Sequence, residues 1–240
     1  MNCKDLVELN PDFEKFIANI PEKIENNFNL VHKKKHSIIH QQDEYLKSMG
    51  FVLKGKIKIT SELDNGSIFL IEENEAICFI SEVAFLSGHT TSSVTIECLT
   101  DCTIAYISRE DFHYWIDNDI NFLKIMCADV AEKLYYSSYN KGEYFFYPTK
   151  YTLLKYIKKH IDSATNNNTF TSVKINKTRQ QISEELGIPL KTLNRLIYSF
   201  RDLKIINITK GKIEITSEQY NDFPSHLDRF KQQNKNGFKI

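Results

Sequence analysis

Twenty residues, TRQQISEELGIPLKTLNRLI from Thr178 to Ile197, constrain the fold more than any other stretch of the chain. Apolar residues stand at Ile182, Leu186, Ile188, Leu193 and Leu196, a spacing that gives two short amphipathic helices. Gly187 lies between them, where a positive φ is cheap only for Gly. Pro189 falls in the first turn of the second helix, where a missing N–H costs nothing. Ser183 is small at the point where the two helices cross. Helices this short bury their stripes against each other at a steep angle, which is the helix-turn-helix arrangement. KIINITKG and KIEIT follow, with Lys210-Gly211 at the tip of a hairpin that reads as a wing. An ordinary αα-hairpin in a helical domain is the bland alternative.

In the second helix Leu190, Lys191, Asn194, Arg195 and Tyr198 fall off the buried stripe and project into whatever the helix enters. A DNA major groove admits one α-helix, and Asn and Arg offer paired hydrogen bonds to adenine and guanine edges. Arg179, Thr192, Ser199, Arg201 and the wing residues Lys210 and Lys212 suit phosphates. Charge agrees with this. From Phe145 onward the chain holds 17 Lys and Arg against 8 Asp and Glu, and the first 144 residues hold 14 against 23. An acidic half joined to a basic half suggests a sensor or partner surface coupled to a polyanion binder.

Residues 36 to 108 have a different period. FVLKGKIKIT alternates, with Ile57 and Ile59 on one face and Lys56 and Lys58 on the other. Asn65-Gly66 sits between two such runs, a strong hairpin signal. VTIEC and CTIAYIS follow. About eight short strands with tight turns suggest a barrel or jelly-roll-like sandwich. Ser108 then precedes Asp111 in a near capping box. From there Ile116, Ile120, Leu123, Cys127, Val130 and Leu134 recur at alternating spacings of 4 and 3, a seam for a partner helix. Met126, Tyr135 and Tyr136 suggest a second apolar face, so one side could meet the barrel and the other a twin. Lys141-Gly142 is expected to break or bend this helix, and Pro148 to open another. SATNNNTF reads as a loop. The expected division is residues 1–110 as a sensor barrel, 111–144 as a dimerisation helix and hinge, and 145–240 as a winged helix-turn-helix domain, an α+β chain overall.

Composition narrows the remaining classes. Apolar residues make up 41% of 240, enough for real cores. No apolar run reaches the roughly 18 residues of a membrane span, and the first twenty residues lack the apolar middle of a signal peptide. A cytoplasmic location is expected. The five cysteines, Cys3, Cys78, Cys98, Cys102 and Cys127, lack disulfide-framework spacing.

A β-barrel, a long helix and a winged helix-turn-helix in that order resemble the CRP/FNR family of bacterial transcription regulators. The resemblance spans roughly residues 25 to 218. It is carried by FVLKGKIKIT with DNGSIFL, by FISEVAFLSG with CTIAYISREDF, and by the stretch from Thr178 to Ile197. It implies a β-roll of the cyclic-nucleotide-binding type, a homodimer on a two-fold symmetric DNA operator, and RNA polymerase as a further partner. In members that bind cyclic AMP, a Gly-Glu pair and an Arg-Ser pair cradle the ribose and phosphate, and a small polar pair on the dimer helix contacts the base. Here the acid is Glu82, preceded by Ser81 in place of Gly. Thr91 or Ser92 stands where the Arg should fall, and the polar pair is Ser137 and Ser138. A charge-assisted contact to a buried phosphate contributes about 1.5–3 kcal/mol, so its absence argues against cyclic AMP. The expected effector is a different small molecule, or none. The start of the recognition helix, Leu190 and Lys191, departs from the family's Arg and Glu, which implies a different operator.

Two other classes compete. A cupin-like enzyme needs convergent His and carboxylate ligands on barrel strands, yet His89 is the only His between residues 41 and 112. No phosphate loop, metalloprotease motif or nucleophile elbow is present. A scaffold whose helix-turn-helix meets protein is the third class. His32, His36 and His40 are four apart but lie in an extended stretch, so no shared metal site is expected. A haem role for His89 or Cys78 is a weak alternative. Trp115 reads as core at the base of the dimer helix. The aromatic run Tyr144 to Tyr147 reads as packing at the domain hinge. No cofactor is expected.

Overall fold

A computed structural model describes residues 1–165 and 169–232, with the side chains of residues 139–146 outside the description. The chain divides into two compact units, Met1–Tyr135 and Tyr136–Ile240.

The first unit opens with two short helices, α1 (Cys3–Leu9) and α2 (Glu14–Ile17), and then eight strands. These are β1 (Asn29–Lys33), β2 (Ile38–His40), β3 (Ser48–Lys54), β4 (Lys56–Glu62), β5 (Ile68–Glu75), β6 (Cys78–Ile80), β7 (Thr95–Cys98) and β8 (Cys102–Ser108), with helix α3 (Glu82–Leu86) between β6 and β7. They form two antiparallel four-stranded sheets, ordered β1-β8-β3-β6 and β2-β7-β4-β5. The alternation read from FVLKGKIKIT holds: Ile57 and Ile59 are buried, while on the other face Lys56 is exposed and Lys58 is half-buried, paired with Glu97 at 2.9 Å. The Asn65-Gly66 turn joins β4 to β5, with Gly66 at φ +75° and the Asn65 side chain accepting from the Ser67 N–H.

Two apolar layers fill this unit. One, around Val52, Ile57, Ile96 and Ile104, sits between the sheets. The other is aromatic and joins Phe13, Phe51, Phe79, Phe112, Trp115 and Phe122. Trp115 is fully buried, as its sequence position suggested, and stacks on Phe122 at 3.9 Å between ring centroids.

Two helices follow, not one: α4 (Arg109–Asn118) and α5 (Ile120–Phe146). Ser108 caps the first, accepting from the Asp111 N–H at 3.0 Å. Asp119 ends it in an extended conformation, φ −132° and ψ 93°. The buried Asp119 carboxylate then accepts the N–H groups of Asn121 and Phe122 and caps α5. Ile116 therefore lies on α4, packed against the aromatic core, and not on the helix that carries the rest of the expected seam. The seam periodicity ran through the break because the cap occupies a single position. Gly142 does not interrupt α5, which continues to Phe146. A single glycine inside a helix costs only about 1 kcal/mol relative to Ala, too little to stop a long one.

The second unit contains α6 (Thr149–Thr165), β9 (Ser172–Lys174), α7 (Arg179–Leu186), α8 (Leu190–Asp202), β10 (Asn207–Thr209), β11 (Lys212–Thr216), α9 (Ser217–Asn221) and α10 (Phe223–Gln232). Pro148 precedes α6 as expected, its carbonyl accepting the Thr152 N–H. Ser163 to Thr165, expected in a loop, extend the helix. The strands form a small sheet ordered β10-β11-β9. Leu153, Leu154, Ile157 and Ile161 of α6 meet the buried faces of α7, α8 and the sheet. Residues 144–146 of the aromatic run fall outside the described side chains, while the Tyr147 ring packs against Tyr151 at a tilt of 32°, with centroids 4.5 Å apart.

Candidate nucleic-acid interface and effector site

The Thr178 to Ile197 stretch folds as two capped helices. Thr178 and Gln181 exchange hydrogen bonds, the Gln181 N–H to the Thr178 hydroxyl at 3.1 Å and the Thr178 N–H to the Gln181 side chain at 2.8 Å. Gly187 ends α7 at φ 59° and ψ 28°, in the left-handed region. The Ser183 hydroxyl is buried and donates to the Ile188 carbonyl at 2.6 Å, which ties the turn to the first helix. All five apolar positions read from the sequence are buried, and Ile197 and Phe200 extend the stripe.

That buried stripe fixes the opposite face of α8. Leu190, Lys191, Arg195 and Tyr198 are exposed, and Asn194 is half-buried among them. Spacing of one and four residues puts all five on one side of the helix. Thr192 and Ser199 are half-buried at its margins. Arg179 lies on α7 but reaches α8: its guanidinium donates to the Asn194 side-chain oxygen at 2.8 Å and sits 4.8 Å from the Tyr198 ring centroid. The contact holds the Asn194 amide in one orientation, a part that spacing alone did not suggest. Arg201 lies 5.0 Å from the same ring and pairs with Asp202 at 2.7 Å. The wing turn carries Lys210 at φ 51° and Gly211 at φ 78°, the two-residue geometry that matches strand twist. Lys210 is exposed at the tip, and the Lys212 ammonium reaches the Asn176 carbonyl at 3.5 Å. Lys150 and Arg229 also border the C-terminal half of α8. Sequence reasoning assigned neither of them a role.

In the first unit, Glu82 begins α3 and is 6% exposed. Its carboxylate accepts from the Lys133 ammonium of α5 at 2.6 Å, and Lys133 also meets Asp129 at 2.9 Å. Burial by itself would lower the Lys133 pKa, but the Glu82 and Asp129 carboxylates outweigh it and hold the pKa raised. Lys133 was not among the expected effector residues. It lies more than fifty residues from Glu82 in sequence, and only the fold brings the two together.

Ser81 precedes the helix at φ 72°, with its hydroxyl oxygen buried and without a partner among the described residues. Ser92 is buried but turned inward, donating to the Val94 carbonyl at 2.7 Å. Thr91 is exposed and forms an isolated bridge with Tyr45. The nearby Arg109 stacks at 3.8 Å on Phe85 of α3 and donates to the His89 and Leu46 carbonyls at 2.9 and 3.3 Å, so this cation is used within the fold. Ser137 and Ser138 lie on the part of α5 that groups with the second unit, half-buried and exposed respectively.

Along α5, Phe122 and Met126 are buried in the aromatic core. On the seam, Ile120 and Leu134 are 60% and 65% exposed, Cys127 is exposed, and Leu123 and Val130 are half-buried.

The histidines do not converge. The His32 ring meets Thr103, the His36 ring meets Glu97, and His40 is buried in β2. Among the described residues, no group of three His, Cys, Asp or Glu could hold a metal ion. Burial pushes the Cys78 thiol up to about 12, which leaves it protonated and unreactive. Among the same residues, no helix is long and apolar enough to cross a membrane.

A two-sheet β-roll, a long helix and a winged helix-turn-helix follow one another along this chain. The cyclic nucleotide-binding domain family matches residues 30–119. The cAMP-activated global transcriptional regulator CRP of Escherichia coli is 24% identical over 183 residues, which covers 74% of this chain and 85% of that one. The c-di-GMP-responsive global regulator CLP of Xanthomonas campestris superposes with a TM-score of 0.67 over 86% of this chain and 99% of its own, at 13% identity. A transcriptional regulator of the CRP/FNR family from Eubacterium rectale gives 0.65 over 85% and 92%, at 17% identity. Residues 30–119 thus match a cyclic nucleotide-binding domain, and the chain is similar in sequence to CRP and in fold to regulators of the CRP/FNR type.

Proposed function

We propose that the protein is a homodimeric regulator that reads a two-fold symmetric DNA operator, controlled by a small molecule other than cyclic AMP or active without one. The observation that carries the DNA reading is the face of α8. Leu190, Lys191, Asn194, Arg195 and Tyr198 share one side of a helix whose other side is buried, and the wing that follows it carries Lys210 and Lys212. Asn194 and Arg195 are the base-reading pair. Arg179 orients Asn194, while Thr192, Ser199, Arg201, Lys210 and Lys212 suit the backbone.

Dimerisation runs along α5 through Ile120, Leu123, Cys127, Val130 and Leu134. This stripe stays open while Phe122 and Met126 on the other side are committed to the barrel. Two copies zipped there place half-sites about one helical turn, roughly 34 Å, apart. RNA polymerase is the downstream partner in this reading, and the cytoplasm is its setting.

The case against cyclic AMP rests on charge. The acid that would meet the ribose, Glu82, is already paired with Lys133, and the turn from Ser87 to Val94 carries no Lys or Arg. A cyclic phosphate entering there would be buried without a cation.

Genomic footprinting of the purified protein, with and without a small-molecule cell extract, tests operator and effector together. Replacing Arg195 with Ala is expected to relax specificity at one base step, at a cost of about 1–3 kcal/mol. Equal weakening on every sequence would instead make Arg195 a phosphate contact.

A further inference from the structure

The chain does not end at the wing. Phe223, Leu227 and Phe230, spaced four and three apart, fold the next segment into α10 and turn it onto α6 and α8. Phe230 stacks flat on Phe200 of α8, with centroids 5.6 Å apart and planes 2° apart. This packing fixes the helix so that Arg229, itself exposed, lines one open groove with Lys150 of α6 and with Arg195 and Ser199 of α8. Lys150 is seated by the same helix, its ammonium 5.9 Å from the Phe230 ring centroid. Three cations thus converge on one groove. Its single lining carboxylate, Asp202, is tied to Arg201 at 2.7 Å. Among the described residues, none of the three cations has a carboxylate partner within ion-pair distance. Unpaired like charges gathered on an open surface repel one another and favour a polyanion.

We propose that this groove carries the DNA phosphate backbone beside the turn of duplex that α8 enters, with Arg229 of α10 and Lys150 of α6 as phosphate contacts outside the helix-turn-helix. The proposal rests on the DNA-binding reading and names a further surface for it. Phosphate is favoured over base because Arg229 and Lys150 border Ser199, Asp202 and Leu203, the C-terminal half of α8. Base edges are met by the N-terminal residues of a recognition helix. α10 is then both a wedge under the recognition helix and part of the DNA-facing surface.

The test measures binding of the full chain to a mixed-sequence duplex between about 50 and 200 mM salt, by fluorescence anisotropy. Removing one phosphate contact should flatten the slope of log affinity against log salt by about 0.9 per protomer. The variants are Arg229→Ala, Lys150→Ala and the pair, and the pair should lose about twice as much slope as either alone. Arg229→Lys should keep the slope, since it keeps the charge. Arg229 is exposed, so far-UV circular dichroism should match the parent and show α10 still folded. A parent chain with no salt-dependent duplex binding would defeat the DNA-binding reading itself. A parent that binds, with Arg229→Ala and Lys150→Ala showing its unchanged slope, would overturn only the groove.

Discussion

Replacing Lys133 with Met leaves Glu82 as a buried carboxylate without its cation, and the size of the resulting loss can be worked out in advance. The Lys133 side chain is 23% exposed and that of Glu82 is 7%, so both charges sit largely out of water. Breaking such a pair from one side costs about 3–5 kcal/mol. There is a ceiling, because a stranded carboxylate can take a proton. For a glutamate that normally titrates near about 4.3, with each pH unit equal to 1.36 kcal/mol, the ceiling is about 3.7 kcal/mol at pH 7 and about 1 kcal/mol at pH 5. The direction follows from linkage. A carboxylate buried without a cation binds its proton more readily than an unfolded one, so the folded variant gains relative stability as pH falls.

Urea denaturation of parent and variant, compared at each pH, should give a difference of about 3 kcal/mol at pH 7 and about 1 kcal/mol at pH 5. Adding Glu82→Gln to Lys133→Met should recover most of the loss at pH 7, since a neutral amide needs no cation. Met keeps the aliphatic stem, so packing changes little. A difference of the same size at both pH values, or a double variant no more stable than the single one, would refute the reasoning.

Three further outcomes follow from named contacts. On the proposed DNA-reading role of α8, Arg179→Ala should weaken operator binding and also lose discrimination at the base assigned to Asn194, because the Asn194 amide loses the donor that orients it; competition with point-changed operators separates this from uniform weakening, which would return Arg179 to the phosphates. Burial holds the His40 imidazole below its ordinary pKa despite the opposing pull of Glu44. The unfolded chain therefore takes up a proton first, and stability should fall as pH drops below about 6.5. His40→Gln should flatten that part of the urea-midpoint profile, and an unchanged profile would remove His40 from the account. Asp119→Ala removes the cap of α5 and strands the buried Trp115 indole N–H, which donates to Asp119 at 3.3 Å; a loss of about 2 kcal/mol is expected, and one below about 0.5 kcal/mol in a thermal melt would contradict it.

Much of the fold was legible because it depends on local chemistry. Gly187, Ser183 and the five apolar residues around them specify a tight crossing of two helices whatever surrounds them. Asn65-Gly66 and Lys210-Gly211 specify their hairpins in the same way. The second apolar face of α5 expected from Met126, Tyr135 and Tyr136 holds only at Met126, which is buried; Tyr135 and Tyr136 are exposed. Phe223, Leu227 and Phe230 signalled α10 by their spacing, but the stretch after the wing was not read as a helix. The break at Asp119 was hidden because one capping residue leaves the apolar period intact. The run through Gly142 was missed because a glycine is a weak penalty rather than a stop.

Sequence by itself determined the succession of β-roll, long helix and winged helix-turn-helix, since each is written in a period, a cap or a turn within a few tens of residues. Only the tertiary structure decided which charges meet. Lys133 neutralises Glu82, Arg179 holds Asn194, and Arg229 joins Lys150 and Arg195 across a groove. Spacing along a chain does not fix which faces of distant elements converge; the packing of their apolar sides does. The charged residues opposite those sides are carried into place by it.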